Sequence, residues 1–152
     1  MKIMDFLSPD AIRIGLDAHD KKSAIAELVG LLHEKKKIKK PQEIIEAVME
    51  REKLGSTGIG QGVAIPHGKT NSITEQFGVL GISQKGINFD SLDGEPVYLL
   101  FLLIGPVEVA GQHLKALARI SRLFKDRFFR QALKEAKTVQ DIVKIIQQED
   151  SY

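Results

Sequence analysis

The sequence predicts an α/β domain in which a small sheet lies between helices. Three observations carry this expectation. Apolar residues recur at helical spacing near both ends of the chain, at 24–32, 44–49, 114–124 and 139–146. Short apolar, strand-like runs occupy the middle, at 63–65, 77–83 and 97–104. Glycine and proline separate the two kinds of segment. The 152 residues contain no internal repeat, low-complexity tract or linker, so one domain spanning residues 1–152 is expected.

Each element has a local reason. Ile12, Ile14 and Leu16 alternate with polar or small residues and predict a short strand. Asp20 is placed to cap a helix whose apolar stripe is Ala24, Ile25, Leu28, Val29, Leu31 and Leu32. The lysine run at 35–40, broken only by Ile38, ends it and reads as a solvated helix end. Pro41 sits where a first helical turn tolerates proline, and Ile44, Ile45, Val48 and Met49 continue a second helix to about Leu54. Residues 55–62 read as a glycine-rich loop. Val63, Ala64 and Ile65 then form a buried strand that stops at Pro66, which offers no backbone donor. Two further strands, 77–83 and 97–104, are separated by turn signals at Lys85-Gly86 and Asp93-Gly94. Beyond Gly105-Pro106, Leu114, Leu117, Ala118, Ile120, Leu123 and Phe124 predict one apolar helix face. Phe128, Phe129 and Leu133 mark a short helix. Thr138 with Asp141 caps a last one, which carries Val139, Ile142, Val143, Ile145 and Ile146.

Composition narrows the function classes. The hydrophobic fraction is 43% and the charged fraction 28%, ordinary for a soluble globular chain. A formal net charge of +2 does not call for a polyanion, and no nucleic-acid partner is expected. There is no cysteine, which excludes disulfides, thiol catalysis and thiolate metal sites. Residues 1–10 lack the apolar core of a signal peptide. The longest apolar run, at 97–104, is far short of the roughly 20 residues of a membrane helix. No membrane insertion is expected, and a cytoplasmic location is.

The densest chemical signal is Pro66-His67-Gly68. A histidine between proline and glycine suits a strand end on rigid support better than a helix interior. Two phosphate-loop patterns fail nearby. Gly58-Ile-Gly60-Gln-Gly62 is not G-x-G-x-x-G and precedes a strand instead of following one. The segment 62–70, ending Gly68-Lys69-Thr70, is one residue too long for a nucleotide P-loop. No nucleotide or other cofactor is expected. His67 can be read as a core histidine, a metal ligand, a general base or a covalent nucleophile. A metal site needs several ligands at matched spacing, and His19, His33, His67 and His113 have no local pairing. Covalent catalysis explains the surroundings best, because imidazole is an uncharged nucleophile near neutral pH that forms covalent intermediates; if the group it takes is phosphoryl, the transfer needs only positioning and donors. The glycines at 55–62 read either as a tight loop without a ligand or as a concave support whose backbone amides are candidate donors. His113, at the start of a helix, reads either as a solvated first-turn residue or as a second imidazole facing a phosphoryl oxygen. Arg51, ending the second helix, reads either as a favourable cation at a helix C-terminus or as an anion clamp beside His67.

The stretch Arg51-Glu-Lys-Leu-Gly-Ser-Thr-Gly-Ile-Gly-Gln-Gly-Val-Ala-Ile-Pro-His-Gly-Lys69 resembles the signature of the fructose/mannitol-type IIA domains of the bacterial phosphoenolpyruvate-dependent sugar phosphotransferase system. Phe89-Asp-Ser-Leu-Asp-Gly-Glu-Pro-Val-Tyr-Leu-Leu-Phe101 and Gln112-His-Leu-Lys-Ala-Leu117 resemble the same family in the same order. The resemblance implies a small mixed sheet flanked by helices. It implies that His67 is the phosphoryl acceptor, as a tele-phosphohistidine, that His113 supports the phosphoryl group, and that Arg51 lies close by. It implies an HPr-type phosphocarrier protein as donor, and a IIB domain or a regulatory target as acceptor. The free-standing chain looks most like the nitrogen-regulatory branch; a IIA component of a sugar transporter is the alternative.

Overall fold

The computed structural model describes residues 1–151 of the chain. Six strands form one sheet: β1 Ile12–Ile14, β2 Gly58–Gly60, β3 Val63–Ala64, β4 His67–Thr70, β5 Phe77–Ile87 and β6 Val97–Pro106. Five α-helices flank it: α1 Lys21–Glu34, α2 Pro41–Lys53, α3 Ala110–Phe124, α4 Arg127–Glu135 and α5 Val139–Glu149. The strand order is β1-β5-β6-β3-β2, with β4 also on β6. β5 and β6 run antiparallel, as do β2 and β3, while β1 on β5 and both β3 and β4 on β6 are parallel. This is the small mixed sheet that the motifs implied.

Helix starts follow the expected chemistry. The Asp20 carboxylate accepts from the Ser23 amide at 2.8 Å and caps α1. Pro41 is the first residue of α2, where its missing N–H costs nothing. Thr138 Oγ1 accepts from the Asp141 amide at 3.1 Å and caps α5. Asp150 ties the two ends of the chain together. Its buried carboxylate accepts from the Ile3 amide at 2.6 Å and from Arg119 Nε.

Sheet parity decides which face each side chain meets. On β5, a Cβ at Gly81 would meet Leu28 of α1 and Leu16. Its neighbour Leu80 faces Phe101, Leu123, Phe124, Phe129 and Ile146. So α1 lies on one face and the α3–α5 layer on the other. That second face is packed edge-on by rings: Phe6 on Phe101 at 6.2 Å, Phe101 on Phe124 at 6.3 Å and Phe124 on Phe129 at 5.3 Å. Each such pair contributes about 1 kcal/mol beyond its buried area. The same alternation runs along β4. A Cβ at Gly68 would meet Val48 and the backbone of α2, and Thr70 Oγ1 donates to Glu43 of α2 at 2.9 Å. His67, one residue earlier, is turned to the face that carries α3.

Four elements differ from the reading of the sequence. The chain does not leave the sheet at Pro66. β3 and β4 keep one register along β6, with Ala64 opposite Leu100 and His67 opposite Leu103. Pro66 interrupts the ladder because it cannot donate, while its carbonyl still accepts from Leu103 at 3.0 Å. Within 55–62, residues Gly58–Gly60 pair with β3 and close a hairpin through Gln61 (φ 58°) and Gly62 (φ +80°), which adopt the left-handed conformation. Lys85-Gly86 is an irregularity inside β5, not a turn between strands. Gly86 has φ +93° and its amide donates to Ser83 Oγ at 3.0 Å. Finally, α3 is rotated from the expected face. It buries His113, Ala116, Ile120, Leu123 and Phe124, and leaves Leu114 66% exposed. Apolar residues alone defined the predicted face, and the buried stripe contains a histidine.

Candidate functional site

His67 opens β4 directly after the Pro66 break, and its ring turns back on residue 65. Nδ1 lies 2.8 Å from the carbonyl of Ile65. A carbonyl only accepts, so Nδ1 carries the proton and Nε2 keeps the lone pair. Burial lowers the pKa of this half-buried ring. The Ile65 carbonyl opposes that shift, the charges of Arg51 and Lys69 add to it, and Glu52 opposes it. His67 is therefore a neutral imidazole near neutral pH with one nitrogen committed and one available.

His113 enters from the other side. It lies in the first turn of α3, which begins directly after β6 and a 3-10 turn at Val107–Val109. The two imidazole rings face each other with centroids 5.8 Å apart and planes inclined by 52°. His113 is buried, only 3% exposed, and neither ring nitrogen has a hydrogen-bond partner. Its pKa is lowered to about 4, by burial first and then by the charges of His67 and Lys69. It is thus a neutral ring held beside the nucleophilic one, with hydrogen-bonding capacity unused. The solvated first-turn reading of His113 does not hold.

Arg51 lies in the last turn of α2. Its Nη1 donates to the carbonyl of Gly55 at 3.0 Å. Its charge reaches His67, and one N–H of its guanidinium holds the start of the glycine segment. The structure therefore brings His67 and His113 together and sets Arg51 beside them as a brace for the loop.

The loop is also held from within. Glu52 is buried; it accepts from the Thr57 amide at 3.2 and 3.3 Å and from Thr57 Oγ1, and pairs with Lys21 at 3.1 Å. The Gly58 amide donates to Ser56 Oγ at 3.1 Å, and the Gln61 amide to Asp93 at 3.1 Å. Three amides of the segment that the sequence offered as phosphoryl donors are thus occupied by the chain's own side chains. Gly58 packs so tightly on Ser91 that a Cβ there has no room. These glycines serve close packing and left-handed turns, which rigidify the support of His67.

Sequence reasoning missed Glu52, Lys69 and Gln76. Glu52 had a signal: it stands four residues after Val48 and eight after Ile44, on the buried stripe of α2. A carboxylate on an apolar stripe needs a partner, which Lys21 supplies. Lys69 also had one, since it shares strand parity with His67. Gln76, just before β5, had none. Among the described residues no group of three or more His, Cys, Asp or Glu side chains converges as a metal site. No helix among them is long and apolar enough to cross a membrane.

Residues 5–149 match the family described as phosphoenolpyruvate-dependent sugar phosphotransferase system, EIIA 2. The chain is 39% identical over 146 residues to a nitrogen regulatory protein of Bradyrhizobium diazoefficiens, covering 96% of this chain and 95% of that one. It is 37% identical over 150 residues to a fructose-specific EIIABC component of Bacillus subtilis, covering 99% of this chain and 24% of that one. Its fold is similar to the crystal structure of nitrogen regulatory protein IIA-Ntr from Neisseria meningitidis. The TM-score is 0.87, with 31% identity over 95% of this chain and 98% of that one.

Proposed function

The chain belongs to the EIIA 2 family of the phosphoenolpyruvate-dependent sugar phosphotransferase system, and from that membership we propose that it is a phosphoryl carrier of the nitrogen-regulatory type. His67 accepts a phosphoryl group from a histidine-phosphorylated, HPr-type protein. The observation that carries this reading is the hydrogen bond from His67 Nδ1 to the Ile65 carbonyl. It leaves Nε2 as the nucleophile, and it points the nucleophile away from the strand that holds the ring.

The step follows from that geometry. The Nε2 lone pair attacks phosphorus of the donor's phosphohistidine. The donor's P–N bond breaks, its electron pair returns to the donor imidazole, and a new P–N bond forms on His67. The proton on Nδ1 stays in place, and the Ile65 carbonyl stabilises the positive charge that develops on the ring. Charge on the phosphoryl oxygens is met by His113, whose N–H becomes a donor in a water-poor place, and by the nearby cations Lys69 and Arg51. Burial supports the same step, because it lowers the pKa of His67 and keeps its lone pair available.

The next protein in line is a partner of the same system. In the nitrogen-regulatory reading, the added negative charge at this face changes which target protein binds. In the sugar-transport reading, the group passes to a IIB domain. The match over 99% of the chain to a protein named for A, B and C components favours keeping that second reading. A cytoplasmic location accompanies both. The test is incubation with enzyme I, an HPr-type donor and phosphoenolpyruvate, followed by intact mass. One acid-labile phosphoryl group per chain is expected, and none in His67→Ala. Adding a fructose-type IIB domain separates the two readings: slow or absent onward transfer supports the regulatory one, and fast transfer the transporter one.

A further inference from the structure

Four buried side-chain polar atoms lack a hydrogen-bond partner among the described residues: both ring nitrogens of His113, Oε1 of Gln76, and Ser91 Oγ. The first three belong to one place, and Gly105 marks it. The position that a Cβ would take at Gly105 is 3.1 Å from His113 Nδ1 and 3.4 Å from Gln76 Oε1. The missing side chain leaves a slot that these two groups share. Buried polar groups without partners are uncommon and costly. Their convergence behind a proposed phosphoryl site therefore points to a role.

We infer that Gln76 is a positioning residue for His113: its side-chain amide donates to Nδ1 and thereby fixes the ring proton on Nε2, where it serves a phosphoryl oxygen. The inference rests on the phosphocarrier reading of the site. Oε1 and Nδ1 are not bonded to each other as they stand; a half-turn of the terminal amide exchanges Oε1 for the NH2 group, and a side-chain rotation into the space beside Gly105 brings that group onto Nδ1. With NH2 toward Nδ1, the ring accepts there, and its single proton must sit on Nε2. With Oε1 toward Nδ1, the proton sits on Nδ1, and Nε2 would turn a lone pair to an anion. Only the first arrangement makes His113 a donor for a phosphoryl group.

The alternative of a doubly protonated ring, which donates from both nitrogens, is opposed on every side. His113 is buried, and the titratable groups acting on it, His67 and Lys69, are both basic, so neither favours a second proton on its ring. The tautomer of a neutral ring therefore decides what His113 does. Gly105 belongs to the same device, because a side chain there would fill the slot between the amide and the ring. The role differs from that of Ile65, which sets the tautomer of His67 through a backbone carbonyl. A carbonyl can only impose a protonated Nδ1; imposing a bare Nδ1 takes a donor, and a glutamine amide supplies one.

Nitrogen NMR of the unphosphorylated protein at neutral pH reads the tautomer directly. We expect His113 with Nδ1 bare and Nε2 protonated, and His67 with the opposite pattern. In Gln76→Leu the preference of His113 is lost and protonated Nδ1 gains population. In Gln76→Glu the acceptor-only carboxylate draws the proton fully to Nδ1. Phosphoryl transfer to His67 should slow about tenfold in Gln76→Leu, the worth of one well-placed hydrogen bond, with little change in KM for the donor protein. A wild-type His113 protonated at Nδ1, a tautomer unmoved in both variants, or an altered tautomer with an unaltered transfer rate each overturns the inference. The NMR arm needs no phosphoryl donor. A protein that accepts no phosphoryl group refutes the carrier reading through the mass assay while the tautomer result stands by itself.

Discussion

The two imidazoles of this site sit 5.8 Å apart and are built in opposite ways. His67 stands on a sheet strand, half-open, with one nitrogen tied to the backbone two residues before it. His113 stands on a helix, buried, with neither nitrogen tied. Both have lowered pKa values, and burial is the first cause in each. The difference lies in what each ring can do once neutral. A ring whose Nδ1–H is committed to a carbonyl presents a nucleophile, and a buried ring with unused capacity can present a donor. In the carrier proposed above, two residues of one type divide the work of accepting a phosphoryl group and stabilising it, and the division comes from their neighbours.

The largest effect that would break the comparison is at His67. His67→Ala should abolish acid-labile phosphorylation, as read by intact mass. Retained phosphorylation would move the nucleophile elsewhere. His113→Ala should leave the acceptor in place and slow transfer about a hundredfold, the cost of losing one preorganised donor. Stopped-flow or quench transfer rates decide it, and His113→Gln, which keeps an N–H donor, should recover part of the loss.

The supports come next. Glu52→Ala leaves Lys21 and the Thr57 amide without their buried partner and should destabilise the fold by about 3 kcal/mol, seen as a lower urea midpoint. Arg51→Ala removes one charge and one bond to Gly55, and should slow transfer only about fivefold, on the order of 1 kcal/mol.

The last effect concerns pH. The folded-state pKa of His113 is about 4, against an ordinary 6.5. Below the ordinary value the unfolded chain binds more protons, so this contribution to stability is complete above about pH 6.5 and lost as pH falls toward 4. His67 adds to the same trend, since its pKa is lowered too. Urea midpoints measured at neutral pH and near pH 5 should show the drop, and His113→Gln should flatten it.

Much of this was legible in the chain because local rules determine it. Asp20, Pro41 and Thr138 start helices for reasons contained within four residues. The Pro66-His67-Gly68 motif announces a rigidly held imidazole, which the structure leaves half-buried at the start of β4. What was illegible depends on partners far along the chain. β4 exists because β6 is there to pair with it, and Lys85-Gly86 stays inside β5 because β6 continues opposite it. The burial of His113 follows from how α3 lies on the sheet, which its own pattern of leucines misstates: Leu114 is exposed and His113 is not. Gln76 and His113 both flank Gly105, and the three come from separate segments of the sequence.

The central claim is that Nε2 of His67 carries the phosphoryl group. The direct measurement is phosphorus–nitrogen and proton–nitrogen NMR of the phosphorylated protein, labelled at histidine. The account predicts one P–N bond, on Nε2 of His67, with Nδ1 still protonated and still bonded to the Ile65 carbonyl. A phosphoryl group on Nδ1 of His67, or on either nitrogen of His113, would contradict it.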